Sequence, residues 1–175
     1  MTYPTAYIEY LIYFHGERDY FECHEVLEEH WKTTSKGEKN AYWVALIQIA
    51  VGLYHQRRGN LKGAQKMLQN AKRLVQKDPD SIQSLGLDTP VLETMLVERI
   101  QELEHHTNSY HDLNLPIKDP ELLKLCQEKC VQLELEWCQV SPLSNEWLIH
   151  KHTLRDRQEV IKERAYQQDI RRQRK

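Results

Sequence analysis

The stretch DYFECHEVLEEHW, residues 19–31, decides the fold because it carries the signals of a capped amphipathic helix. Asp19 stands at the N-cap position with Glu22 three residues later, a capping-box pattern in which aspartate replaces serine. At 100° per residue, six side chains fall on one face of this helix: Tyr20, Phe21, His24, Leu27, Glu28 and Trp31. The other glutamates fall on the opposite face. The pattern predicts a helix that packs a mainly aromatic and aliphatic face against a core.

Two members of that inward face, His24 and Glu28, are unexpected in a plain core. They are four residues apart, so their side chains are neighbours on the helix surface and can touch. A buried carboxylate without a partner would be costly, so we expect Glu28 to be paired, hydrogen-bonded or bound to a cation.

The next helix supplies a matching face. Gln48 and His55 lie two turns apart in LIQIAVGLYHQRRGNLKGA, residues 46–64. The rest of their sector is made of small residues, which permit close approach of another helix: Ala41, Ala45, Gly52 and Gly59. Gly52 costs roughly 1 kcal/mol in a helix interior, so we expect a packing reason for it. An antiparallel hairpin of the two helices would bring His24, Glu28, Gln48 and His55 together.

Apolar residues recur at intervals of three and four along most of the chain, which predicts an all-α fold. We expect a compact antiparallel bundle of about seven helices, in which the last one or two can extend from the bundle. The expected helices run from Pro4 to His15, with a stop at Gly16, then over 19–34, 39–58, 60–77, 89–106, 119–138 and from Asn145 nearly to the end. We divide the chain into a bundle domain, 1–118, and a C-terminal helical extension that packs on it, 119–175.

The composition limits the class of function. The chain has 175 residues, a formal net charge of -2 and a pI near 6.5, so one domain is expected and neither nucleic acid nor a membrane is the expected partner. The basic end RRQRK is short and has no aromatic residues among its charges. We expect a cytoplasmic protein, because no basic leader precedes the apolar N-terminal residues and the four cysteines are typical of free thiols.

Two runs of residues resemble a known family. FHGERDYFECHEVLEEHW, residues 14–31, and LIQIAVGLYHQRRGNLKGA are similar to the prokaryotic family catalogued as domain of unknown function number 309, over about residues 10–77. The matching positions are Phe14, Gly16, Phe21, Glu22, His24, Glu25, Glu28, Trp31, Gln48, His55, Gly59, Asn60, Gly63 and Ala64. The resemblance implies a compact helical bundle with the same polar cluster, and it supplies no activity.

The polar cluster supports three hypotheses. Its groups can satisfy one another and lock the hairpin, as buried polar groups commonly do. In a binding or scaffold module the hairpin is structural, and a protein partner docks on exposed faces or on the C-terminal helices. The cluster can also bind a small ligand, with ligand-binding candidates His24, Glu28, Trp31, Gln48 and His55. The alternative is a hydrolase-like acid/base or metal-dependent enzyme, with His24, Glu28 and His55 as candidate catalytic residues or ligands of a divalent metal. No catalytic signature assigns a reaction.

The C-terminal region carries a thin apolar seam at heptad spacing, formed by Trp147, Leu154 and Ile161. Such a seam on one long helix can pair with another chain, so one hypothesis is a homo-oligomer formed through the C-terminal helices. His150 and His152 would point to nearly opposite sides of this helix, and we expect no shared role for them.

Overall fold

The computed structural model describes residues 2–35, 40–105, 109–155 and 157–173, with the side chains of 157–161 and 171 left out. These residues confirm the all-α prediction, since they contain helices and one isolated bridge between Leu87 and Ile117. The helices are α1 Thr5–Ile12, α2 Tyr20–Thr34, α3 Ala41–Arg57, α4 Leu61–Lys77, α5 Pro79–Ser84, α6 Thr89–His105, α7 Pro120–Gln132, α8 Glu146–Ile149, α9 Lys151–Leu154 and α10 Arg157–Gln173.

The helix α2 begins as the sequence predicts, because the Asp19 side chain accepts a hydrogen bond from the Glu22 backbone N–H at 3.1 Å. Its buried face differs from the predicted one. The fully buried residues are Tyr20, Cys23 and Leu27, and the Cys23 thiol donates to the carbonyl of Tyr10. The face is therefore rotated toward Cys23, and His24 and Glu28 lie at its edge with about a third of each side chain exposed.

The helices α2 and α3 form the expected antiparallel hairpin. Near one end, the Arg57 guanidinium lies 4.6 Å above the ring of Tyr20. Near the other end, the ring of His30 meets that of Trp43 edge-on at 5.1 Å. The start of α2 thus faces the end of α3. Helix α3 also packs on α4, so it is central to the bundle, while α1 packs on α2 and α6 on α4.

Gly52 has the packing reason that the sequence predicts. A Cβ atom at this position would lie 2.7 Å from Cδ2 of Leu68 on α4, closer than real atoms approach. The turn after α3 also matches the prediction. Gly59 has a φ of +89°, and the Asn60 side chain accepts from the Gly63 N–H at 3.0 Å to cap α4.

The end of the first helix differs from the predicted stop at Gly16. After α1 the chain continues as a π-helical turn, Tyr13–Glu17, and ends at Arg18 in the left-handed conformation with a φ of 55°. The turn is fixed by the buried imidazole of His15, which donates from Nδ1 to the Leu11 carbonyl at 2.9 Å and accepts at Nε2 from the Leu115 N–H at 3.0 Å.

The predicted start of the helix 39–58, at Lys39, and the predicted end of the helix 89–106, at His106, lie outside the described residues. The helix expected to reach Cys138 ends earlier, at Gln132. Glu134 adopts a φ of 58°, and the Leu135 N–H donates to the Cys130 carbonyl at 2.8 Å. This turn directs the following residues back onto the bundle, where Trp137 stacks on His15 at 4.5 Å.

The prediction of one continuous helix from Asn145 is wrong. The region forms α8, α9 and α10, because His150 leaves helical geometry with a φ of -118° and Arg155 is extended with a ψ of 136°. Trp147 and Leu154 are about half exposed but belong to different helices. The heptad seam is therefore interrupted, and the side chain of Ile161 lies outside the described residues. Pairing with another copy stays a prediction.

Three buried arginines join the first hundred residues to the segment that follows α6. Arg18 donates to the carbonyls of Gln139 at 2.7 Å and Leu113 at 3.0 Å. Arg57 donates to the Ser141 hydroxyl, and Arg99 to the His111 carbonyl at 2.8 Å. The carboxylate of Asp112 completes the network, which the sequence did not reveal. The domain division at residue 118 stays a prediction.

No helix in the described ranges is both long enough and apolar enough to cross a membrane. The thiols of Cys23, Cys126, Cys130 and Cys138 are free, as expected. The cytoplasmic location stays a prediction.

Candidate functional site

A pocket of about 180 Å³ lies where the α2–α3 hairpin meets α9. We call it the histidine pocket. Its lining consists of Tyr20, Phe21, His24, Val51, Tyr54, His55 and His152. The hairpin brings His24 and His55 to one site, as the sequence suggested, and a third histidine joins them from a distant part of the chain.

His24 is held by two carboxylates of its own helix. Its Nε2 lies 2.7 Å from Oε2 of Glu28, and its Nδ1 lies 3.1 Å from Oε1 of Glu25. The hydrogen bond to Glu25 raises the pKa of His24, the negative charge of Glu28 acts in the same direction, and partial burial opposes both. Glu28 also pairs with Lys32. Glu28 is therefore paired, as the sequence analysis expects, and its partners are the imidazole of His24 and the ammonium group of Lys32.

His55 has cationic rather than anionic neighbours. Nη2 of Arg58 lies 3.0 Å from its Nδ1, and the Asn60 amide nitrogen approaches the same atom at 3.5 Å. Burial lowers the pKa of His55, and the positive charge of Arg58 lowers it further. The pocket thus combines a histidine that favours its charged form with one that favours its neutral form.

His152 reaches the pocket from α9 and is fixed by Tyr54 of α3. The His152 backbone N–H donates to the Tyr54 hydroxyl oxygen at 3.1 Å, and that hydroxyl also contacts Nδ1 of the imidazole. Burial and the charge of Arg58 lower the pKa of His152. Tyr54 therefore positions the third histidine at the pocket wall.

Two further cations hold α9 against α2. Lys151 lies 2.8 Å from Asp19 and 2.9 Å from Glu22. The Arg155 guanidinium lies 5.6 Å from the centre of the Phe21 ring. Because Asp19 also caps α2, the start of this helix and the segment that carries His152 are linked through one carboxylate.

The remaining predicted site residues do not line the pocket. Glu28 stands behind His24, and neither Trp31 nor Gln48 contributes to the lining. Nε1 of Trp31 and Oε1 of Gln48 are both buried without a hydrogen-bond partner in the part of the chain that the structure describes. The hypothesis that all four polar groups satisfy one another therefore does not describe Gln48. Its role as a ligand-binding residue stays a prediction.

The metal hypothesis gains no geometric support. Among the described residues, no three histidine, cysteine or acidic side chains come together in a group that could hold a metal ion. Glu28 faces His24 directly, and His55 faces a guanidinium, which disfavours a second cation beside it.

Comparisons with known proteins show the family of this chain. The family pattern described as "Domain of unknown function (DUF309)" matches residues 7–67, which include α2, α3 and the turn into α4. A protein of Bacillus subtilis (strain 168), named "Uncharacterized protein YpuF", is 45% identical over 162 residues, covering 93% of this chain and 92% of its own. The chain belongs to the DUF309 family. No solved structure matches it significantly.

The family pattern of DUF309 ends before the segment that completes the pocket. His152 lies far beyond residue 67, whereas the alignment with the Bacillus subtilis relative covers most of the chain. The sequence reasoning missed His152 because it placed this residue on a continuous helix. The sequence carries only a weak signal for His152. This residue lies three positions before Arg155, in a segment that mixes apolar and basic residues.

Proposed function

We propose that this DUF309 protein is a binding module whose site is the histidine pocket. The observation that carries the proposal is the convergence of three imidazoles, from α2, α3 and α9, on one small cavity with an aromatic wall. Ligand sites are typically concave and largely apolar, with a few polar groups that fix the orientation of the ligand. The histidine pocket has this composition.

The size of the pocket favours a small ligand. Its volume of about 180 Å³ lies below the usual range of drug-sized sites. It is comparable with an apolar cavity of about 150 Å³ that holds one benzene molecule. We therefore expect an occupant with a single ring, or an aliphatic group of the same size.

Nuclear magnetic resonance with toluene tests the proposal directly. In the wild-type protein, toluene is expected to shift the backbone amide signals of Phe21, His24, Val51 and His55. A Val51→Trp variant fills the pocket and is expected to lose these shifts. Val97→Trp is the matched control, because Val97 lies partly exposed on α6. Toluene shifts that persist in Val51→Trp, or that map to another part of the protein, would refute the histidine pocket as the site.

A second candidate function is acid/base catalysis in the same pocket. It is favoured by the opposite pKa shifts of His24, which is raised, and of His55 and His152, which are lowered. Groups with separated pKa values can act as acid and base at one pH. Hydrolysis of p-nitrophenyl acetate tests this candidate. Wild-type protein is expected to exceed both His24→Gln and His55→Gln, and equal rates in all three would rule out the catalytic role.

A further inference from the structure

A second cavity lies between α2 and α10. It has a volume of about 410 Å³ and a mainly polar surface, and we call it the polar cleft. Its lining consists of Glu25, Lys32, Arg155, Glu163, Arg164, Gln167 and Gln168. The helix α2 therefore contributes to both cavities, the histidine pocket and the polar cleft.

Two contacts place the polar cleft next to the histidine pocket. The guanidinium of Arg155, in the cleft, lies 5.6 Å from the centre of the Phe21 ring, which lines the pocket. Oε1 of Glu25, in the cleft, lies 3.1 Å from Nδ1 of His24, which lines the pocket. Phe21 and Glu25 are one turn apart on the same face of α2. A molecule with a ring in the pocket can therefore reach the cleft through a short linker.

The two cavities differ in polarity. The surface of the histidine pocket is almost wholly apolar, so a charged group placed there would lose its hydration at a large cost. The polar cleft instead contains three cationic side chains and two carboxylates. A ligand that spans both cavities would thus place its apolar part in the pocket and a negative charge in the cleft.

Arg155 and Arg164 are the cations best placed to bind that charge. The carboxylates near Arg155 are distant, since Nη1 lies 3.7 Å from Glu25 and Nη2 lies 3.5 Å from Glu163. Charge-assisted hydrogen bonds of full strength measure about 2.7–2.9 Å, so the Arg155 fork keeps donors for a closer acceptor. Arg164 forms no ion pair with any side chain that the structure describes. Lys32, in contrast, already has a close carboxylate partner.

We infer that the ligand is a small amphiphile, with a single ring in the histidine pocket and a carboxylate, on a short linker, in the polar cleft. The carboxylate accepts hydrogen bonds from Arg155 and pairs with Arg164. A planar carboxylate matches the guanidinium fork, and its single charge suits a cleft that already holds Glu25 and Glu163. This inference rests on the proposed function and adds the chemical class of the ligand.

The experiment compares phenylpropionate, phenylpropionamide and phenylpropylamine, which share a ring and a linker and differ in charge. Calorimetric titration of the full chain at pH 7.5 and low salt is expected to show phenylpropionate binding about fivefold or more tightly than the amide, because hydrogen bonds to a charged group are stronger. The amine is expected to bind more weakly than the amide. Added salt should narrow the difference between the acid and the amide, because the cleft is open to solvent.

Toluene separates the ligand class from the proposed function. Equal or weaker binding of phenylpropionate than of the amide, with toluene still bound in the pocket, would overturn the ligand class and leave the binding module intact. Absence of binding by every probe, toluene included, would remove the proposed function as well.

Arginine variants test the contacts with the carboxylate. Arg155→Gln and Arg164→Gln are each expected to weaken phenylpropionate binding about threefold to fivefold and to leave amide binding nearly unchanged. Arg155→Lys keeps the charge but loses the fork, so it should recover only part of the affinity. Arg73→Gln is the matched control, because Arg73 is exposed on α4, and it should bind as the wild type does. Toluene binding in each variant shows that the pocket is intact. Phenylpropionate affinity that is unchanged in both Arg155→Gln and Arg164→Gln would contradict the proposed contacts.

Discussion

Tyr54 on α3 and His152 on α9 are joined by two hydrogen bonds, although 98 residues separate them in the chain. The backbone of His152 donates to the Tyr54 oxygen at 3.1 Å, and the Tyr54 hydroxyl forms a second hydrogen bond with Nδ1 of the imidazole. The Tyr54 side chain is mostly buried, and burial raises its pKa, so the hydroxyl stays protonated near neutral pH. This contact completes the histidine pocket.

Tyr54→Phe is expected to loosen the segment 150–155. The variant keeps the ring but loses both hydrogen bonds, which should destabilise the protein by about 1–2 kcal/mol. Hydrogen exchange with mass spectrometry should show faster exchange in 150–155, with little change in α4 and α6. Tyr166→Phe on α10 is the control, since Tyr166 is largely exposed. Equal exchange in both variants would show that Tyr54 does not hold this segment.

Acid is expected to destabilise the protein through His15. Burial lowers the pKa of His15 to about 3, whereas the unfolded residue has a pKa near 6.5. Because the folded pKa is the lower one, the unfolded state binds the proton more readily, and stability falls as the pH drops below about 6.5. The contribution of His15 to this loss is roughly 3 kcal/mol at pH 4.

Urea unfolding of wild type and His15→Gln at pH 7 and pH 4 measures the His15 contribution. The variant has no titrating imidazole, so its free energy of unfolding should fall less between the two pH values. His105→Gln provides the comparison, because His105 is exposed at the end of α6. If His15→Gln and His105→Gln lose equal stability on acidification, His15 is not the buried neutral histidine described above.

Gly52→Ala is expected to destabilise the α3–α4 contact. In an unobstructed helix this change would stabilise by up to about 1 kcal/mol. Here the added Cβ would lie 2.7 Å from the Leu68 side chain, so the sign should reverse, with a loss of about 1–3 kcal/mol. A double variant with Leu68→Ala tests the cause by urea unfolding. It should lose less stability than the sum of the single changes, and simple additivity would show that Leu68 is not the obstacle.

Asp112→Ala is expected to cost about 3 kcal/mol or more. The Asp112 carboxylate accepts from the Tyr110 hydroxyl at 2.6 Å and the Ser141 N–H at 2.6 Å, and it lies 3.9 Å from the Arg18 guanidinium. Its removal leaves buried donors and a buried charge without their acceptor. Asp169→Ala on the exposed surface of α10 is the control for thermal unfolding. A comparable small loss in both variants would show that this network contributes little.

The hairpin and half of the pocket were predictable because their signals are local. The cap at Asp19, the turn at Gly59–Asn60 and the spacing of His24 and Glu28 depend on residues within a few turns of one another. The rotation of α2 toward Cys23 was harder to predict, because a thiol and an imidazole can each occupy a buried position. Which of the two side chains is buried depends on the carbonyl of Tyr10, which accepts a hydrogen bond from the Cys23 thiol.

The rest of the site could not be predicted, because it depends on contacts between distant parts of the chain. The break at His150 changes the direction of the segment that follows, and periodicity alone gives no sign of it. Likewise, Arg18 meets Leu113 and Gln139 across about a hundred residues. No short motif marks such a partner, so nothing in the sequence distinguishes the three buried arginines from the exposed ones.

A crystal structure of the full chain with toluene tests the central claim, that the histidine pocket binds a small ligand, most directly. The account predicts toluene in the histidine pocket, with its ring against Phe21 and Val51. Toluene bound elsewhere, or a pocket closed by the protein's own side chains in the presence of saturating toluene, would contradict it.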